Sequence, residues 1–247
     1  MRVLLLEPPK TPWEMMGDVV ALPLGIAQLA GCLEEAGIPV EILDANALGL
    51  SLEELETAIA QSKPDLIGIT VYTPWVPDVA RAVRVARQAA PEAVIALGGP
   101  HVTFTAEETL ETMPEVDVVA RGEGDQVIVE LARAVEAGGG LEGVPGITFR
   151  QDGGFVETPV APPLDPRKLP LPAFHLMPME RYDFWSVGGP FGTVIASRGC
   201  PFQCTFCSEW PFWRGGWRPH DPEHVVERIK RDMGENEFKR AFDGREI

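Results

Sequence analysis

The chain has 247 residues, 45% of them apolar, and a formal net charge of −16. So acidic a chain lacks the Lys and Arg clusters on which nonspecific nucleic-acid binding depends, and it is not built to seek an anionic membrane surface. No apolar run approaches the ~20 residues of a membrane-spanning helix. The short run at Val3–Leu6 is stopped by Glu7-Pro8-Pro9, unlike a secretory signal, so a cytoplasmic setting is expected.

In chain order, short apolar runs alternate with helical patterns over residues 1–138. Val3–Leu6 reads as a strand. Leu22, Ile26, Leu29 and Leu33 then share one helical face, and Gly37 ends that helix. Val40–Leu43 is the second strand, and Ser51 caps a helix over Leu52–Gln61 with Glu54 placed for a capping box. Leu66–Val71, Val94–Leu97 and Val116–Ala120 are the next strands, with helices near Pro77–Ala89, Ala106–Met113 and Gln126–Glu136. Continuous apolar strands alternating with helices predict an α/β fold with a doubly wound, parallel, Rossmann-like sheet. Ligands of such sheets sit beyond the carboxyl ends of the strands. Cys32 flanks the apolar side of the first helix and is expected to pack in the core.

Residues 139–190 are proline-rich. Ile147–Arg150 and Phe155–Glu157 flank Asp152-Gly153-Gly154 and read as a hairpin. The stretch from Pro159 to Pro178 reads as an extended connector whose Leu164, Leu169, Leu171, Phe174 and Leu176 suit it to lie on a domain. In residues 191–247 the run Gly192–Gly199 reads as a short buried strand ending in a loop. An aromatic loop with Trp210, Phe212, Trp213 and Trp217 comes after it. A helix near Pro222–Met233 comes next, with Asp221 as N-cap.

The most specific feature is Cys200, Cys204 and Cys207, spaced C-x3-C-x2-C. Three thiolates so placed can hold three irons of a [4Fe–4S] cluster and leave the fourth iron open for chemistry. Two other uses of the cysteines stay open. With His220 they could complete a four-ligand zinc site, and in an oxidising compartment they could form disulfides. In the first region glycines come directly after several strands: Gly98 and Gly99 after the fourth, Gly122 and Gly124 after the fifth. Glycine there lets a large ligand approach the backbone, although a tight turn with no ligand explains Gly98-Gly99 equally well. Neither the dinucleotide fingerprint after the first strand nor a P-loop is present.

The run Ser197-Arg-Gly-Cys-Pro-Phe-Gln-Cys-Thr-Phe-Cys-Ser208 resembles the signature of radical S-adenosylmethionine (radical SAM) enzymes. The resemblance implies that the cluster of Cys200, Cys204 and Cys207 binds SAM and cleaves it to a 5′-deoxyadenosyl radical. It puts Phe206 beside the adenine and calls for an external electron donor of flavodoxin or ferredoxin type. The chain as a whole resembles the cobalamin-dependent (B12-binding) group of that family. The stretches that carry this likeness are Pro8-Pro9, Pro23–Ala27, Leu43-Asp44-Ala45, Gly98–His101, Arg121–Asp125 and the Leu169–Ala173 connector. It implies a cobalamin-binding domain over 1–138, a connector with a hairpin over 139–190, and the beginning of a (β/α) radical SAM barrel over 191–247. It also places Thr70, Tyr72, Gly98, Gly99, Gly122 and Gly124 along the cobalamin cleft. The expected activity is methyl transfer to, or radical rearrangement of, a small organic substrate.

The loop Glu7–Asp18 departs from other cobalamin domains in having no His to ligate cobalt from below; Trp13, Trp75 or a water are alternatives, and His101 is better suited to hydrogen bonding. The family's barrel is longer than the stretch after Cys207, and the tail Gly234–Ile247 loses apolar pattern, so the chain reads as a fragment with little or no turnover by itself. A cobalamin carrier or sensor with a vestigial cluster loop is the competing reading. A first domain that binds no ligand and serves only substrate or partner contact is another. A radical SAM methylthiotransferase would carry further cysteines in its first domain, where only Cys32 is found.

Overall fold

The computed structural model describes residues 1–11, 21–182, 193–214 and 216–233, without the side chains of 231–233. Five parallel strands form the centre: β1 (Val3–Glu7), β2 (Val40–Asp44), β3 (Leu66–Thr70), β4 (Val94–Gly98) and β5 (Val118–Ala120). They lie in the order β2-β1-β3-β4-β5, with Leu5 opposite Gly68 and Thr70 opposite Gly98. Strand residues alternate between two cores, as a pleated sheet covered on both faces requires. Leu4, Leu6, Ile67, Ile69, Ile95 and Leu97 face one core, shared with α2 (Leu52–Ser62) and α3 (Val76–Ala89). Val3, Leu5, Leu66 and Ala96 face the other, shared with α1 (Leu24–Glu35) and α6 (Gly124–Ala137).

The helix ends reflect the local chemistry. At α1 the Gly37 N–H donates to Glu34 O (2.9 Å) and the Ile38 N–H to Leu33 O (2.9 Å), a Schellman closure that uses the φ of +73° at Gly37. At α2 the Glu54 N–H donates to Ser51 Oγ (3.2 Å) and the Ser51 N–H to Glu54 Oε2 (2.8 Å), completing the expected capping box. Two boundaries differ from the sequence reading. A one-turn helix, α4 (Pro100–Phe104), precedes α5 (Ala106–Thr112), and α6 starts at Gly124 because Asp125 enters its first turn.

The hairpin β6 (Ile147–Gln151) and β7 (Gly154–Glu157) extends the central sheet, with β6 antiparallel to β5. The proline-rich connector then lies on α1. Gln28 Nε2 donates to Pro170 O (3.0 Å) and the Ala173 N–H to Ala27 O (2.9 Å). Phe174, Met177 and Tyr182 pack with Leu22, Leu24 and Ala27, and the buried Tyr182 hydroxyl donates to Asp44 Oδ2 (2.8 Å). Of the strand expected over Gly192–Gly199, only β8 (Ser197–Arg198) forms among the described residues. It pairs antiparallel with β9 (Arg218–Pro219). Residues 193–196 find no parallel neighbour there, and Ile195 stays 39% exposed, so the buried barrel strand is corrected to a two-residue ladder. The aromatic loop begins as a one-turn helix, α7 (Glu209–Trp213), and α8 (Pro222–Met233) starts with the Glu223 N–H on Asp221 Oδ1 (3.0 Å). Among the described residues no helix is long and apolar enough to cross a membrane.

Candidate functional site: a cleft at the carboxyl ends of the strands

The sheet order reverses between β1 and β3, which opens a crevice at their carboxyl ends. A cleft of about 620 Å³ lies there, a size typical of small-molecule sites. Thr70, Tyr72, Gly98, Gly99, Gly122 and Gly124 all line it, so one surface gathers every residue expected to face the cobalamin. The opposite wall comes from the third region: Arg198, Ser208, Glu209, Phe212, Trp213 and His220.

The glycines have different reasons to be glycine. Gly99 has φ +102°, and a Cβ there would lie 2.9 Å from Val71 O and 3.0 Å from Thr70 Oγ1; backbone packing alone demands it. At Gly98 a Cβ would meet only Ala120, at 3.8 Å, so nothing in the chain itself forbids a side chain. Gly122 has φ +77°, and its N–H donates to Thr103 Oγ1 (3.0 Å). At Gly124 a Cβ would press on Leu29 Cδ2 at 3.2 Å.

Charged residues at the rim were not foreseen from the sequence. Glu7, at the end of β1, is 3% exposed and paired with Lys10, whose ammonium lies 5.4 Å from the Trp75 ring centre. Burial raises the Glu7 carboxyl above its ordinary value against the pull of Lys10, and Glu7 Oε2 has no hydrogen-bond partner among the described residues. Burial likewise raises Tyr72, helped by Glu7 and Glu209. On the far wall His220 is 4% exposed and stacks on His224, with ring centres 6.0 Å apart. Burial, then the Arg228 and Arg198 charges, lower it to about 4.

Arg198 is 8% exposed and grips Asp125 with both terminal nitrogens, Nη1 to Oδ2 (2.6 Å) and Nη2 to Oδ1 (2.9 Å), while Nη1 also reaches Glu123 Oε2 (3.0 Å). Arg218, its partner across the β8-β9 ladder, donates to Glu123 Oε1 (2.6 Å). Both guanidiniums lie near the Trp213 ring, at 5.6 and 6.0 Å. Burial opposes the Arg198 charge, but its carboxylate partners outweigh that and raise it. No spacing rule finds these pairs, because 73 and 95 residues separate their members.

Cys200 and Cys207 are half-buried and Cys204 is exposed, and the Cys207 N–H donates to Cys204 O (3.1 Å). Among the described residues no three His, Cys, Asp or Glu side chains converge on a metal position, these cysteines included. His220 is therefore not gathered with them as a zinc site requires. The donor chemistry, soft thiols on one short loop, suits iron and sulfide. Phe206 is 91% exposed and does not line the cleft. His101 also stays outside the cleft, its Nδ1 3.1 Å from Thr73 Oγ1, whereas Trp75 lines it. Trp13 and the tail 234–247 lie outside the described residues. Cys32 is buried as expected, and burial pushes its thiol up to about 12, which leaves it inert at neutral pH.

Residues 18–132 match the B12 binding domain family. An uncharacterized methyltransferase of Pyrococcus horikoshii, PH0819, is 35% identical over 231 residues, which is 93% of this chain and 50% of that protein. The anaerobic magnesium-protoporphyrin IX monomethyl ester cyclase of Rubrivivax gelatinosus is 35% identical over 213 residues, 84% of this chain and 38% of that protein. The solved structure of the radical S-adenosylmethionine methyltransferase TsrM from Kitasatospora setae, with cobalamin and a [4Fe-4S] cluster bound, superposes with a TM-score of 0.74. That match is at 20% identity over 96% of this chain and 46% of TsrM, a likeness of fold. The chain thus spans half or less of the length of these relatives. With residues 18–132 matching the B12 binding domain family and relatives whose likeness runs on through the cysteine loop, the chain is similar to cobalamin-dependent radical SAM enzymes.

Proposed function

We propose that the chain binds cobalamin in the cleft above β1, β3, β4 and β5 and a [4Fe–4S] cluster on Cys200, Cys204 and Cys207. It does so as part of an enzyme that methylates a small organic molecule or closes a ring in one. The observation that carries this reading is the meeting of two sets of residues around one cleft. One wall is the glycine-lined sheet edge, and the other is built by residues that flank the cysteine loop, Arg198 before it and Ser208 and Glu209 after it. When bound, the cluster supplies a single electron for SAM cleavage and cobalamin supplies a transferable methyl group.

The chain's own residues would divide the remaining work. Gly98 leaves the sheet edge open to a bulky ligand, and Glu7 Oε2 offers a buried acceptor to an amide N–H such as the carboxamides of cobalamin carry. Phe206 is exposed enough to stack on the adenine of SAM. An external donor of flavodoxin or ferredoxin type would deliver the electron. Methylation and ring closure both remain in the proposal, because one relative is named a methyltransferase and another a cyclase.

The competing reading is a cobalamin carrier with a vestigial cluster loop. Anaerobic reconstitution with iron and sulfide separates the two. Incorporation of about four irons per chain, with an electron paramagnetic resonance signal on reduction that is lost in Cys204→Ala, is expected for the enzyme reading. Cobalamin uptake without iron uptake would leave the carrier.

A further inference from the structure

The loop Gly122–Asp125 serves two contacts at once. Gly122, Glu123, Gly124 and Asp125 all line the cleft, and the carboxylates of Glu123 and Asp125 also hold Arg198 and Arg218. Arg198 lies two residues before Cys200, separated from it only by Gly199, so the loop that borders the ligand cleft is tied almost directly to the first cysteine. The tie is short, buried and specific. A guanidinium fork meets a carboxylate with both nitrogens, a second guanidinium shares Glu123, and the Trp213 ring lies beside both cations.

We propose that Arg198 is a positioning residue that couples the two ends of the site: ligand binding against Gly122–Asp125 orders the Cys200–Cys207 loop, and metal loading of that loop tightens ligand binding. The inference rests on the reading of the cleft as a cobalamin site and goes beyond it by assigning an energetic link between the cofactors. A ligand that presses on Gly122 and Gly124 acts on the peptide units that set Glu123 and Asp125. Their carboxylates fix Arg198, and Arg198 fixes the start of the cysteine loop. By linkage the effect is reciprocal. Lys at 198 would keep a positive charge but could not grip Asp125 with two nitrogens while also reaching Glu123.

The test is a hydroxocobalamin titration of the chain, metal-free and after anaerobic reconstitution with iron and sulfide, monitored by absorbance. The dissociation constant should fall by about fivefold or more on reconstitution, the lower range of ordinary coupling. In Arg198→Lys and Asp125→Asn, checked for folding by thermal melting, the two constants should converge while both cofactors still load. Cobalamin should also change the electron paramagnetic resonance spectrum of the reduced cluster in the wild-type chain but not in Arg198→Lys, a change that mere structural support would not produce. Equal constants in a wild-type chain that loads both cofactors would overturn the proposal, as would an undiminished ratio in either folded variant. A folded wild-type chain that takes up no cobalamin would remove the cleft reading itself, and the coupling with it.

Discussion

At the scale of residues, neighbouring glycines make opposite predictions. Gly99→Ala places a Cβ against Val71 O at 2.9 Å with φ +102°, and should destabilise the fold by about 1–3 kcal/mol in urea unfolding. Gly98→Val meets only Ala120 at 3.8 Å, so the fold should survive. The new side chain would stand at the cleft, and cobalamin affinity should fall about tenfold or more in a titration, a cost of about 1.4 kcal/mol. His220 gives a pH prediction. Its folded value, about 4, lies below the ordinary 6.5, so between those limits the unfolded chain binds more protons. Stability is therefore full above pH 6.5 and is lost as pH falls toward 4, at no more than about 1.4 kcal/mol per pH unit. His220→Asn should flatten that slope in urea unfolding at several pH values; an unchanged slope would assign it to other groups. Sequence exposed the glycines because several come straight after strands, although only Gly99 and Gly122 of the four take positive φ. It hid Glu7, Glu123, Asp125 and Arg198, because a charged residue at a loop looks solvated until its partner is seen.

At the scale of elements, two contacts join the parts. Gly31 of α1 faces the connector so closely that a Cβ would fall 2.3 Å from Leu171 O. Gly31→Ala should cost about 1–3 kcal/mol and bring protease cleavage in the 159–178 stretch, whereas Gly25→Ala, with nothing within 4 Å, should cost no stability. The second contact joins β8-β9 to the start of α6. Arg198→Ala would leave Asp125 without its main countercharge and should destabilise by about 3–5 kcal/mol. The central strands were legible because a parallel strand buried on both faces is a continuous apolar run, as in Val3–Leu6 and Leu66–Ile69. The start of α6 was read late because Gly122–Asp125 has loop composition, and α4 was missed because five residues carry no helical period. The strand before the cysteines was read too long: Thr193-Val194-Ile195 is strand-like in composition, but a strand needs a neighbour, and composition does not show one.

At the scale of the whole molecule, the sheet order places the carboxyl ends of β1 and β3 at a topological switch, and the third region closes over it. A site so divided, with one wall from the stretch that matches the B12 binding domain and the other beside the cysteine loop, is the arrangement the proposed two-cofactor reading calls for. Cobalamin binding tests this most directly. Hydroxocobalamin added anaerobically to the folded 247-residue chain should bind, with an absorbance change that saturates at one per chain. A folded chain whose cobalamin spectrum stays that of the free cofactor at every protein concentration would contradict it.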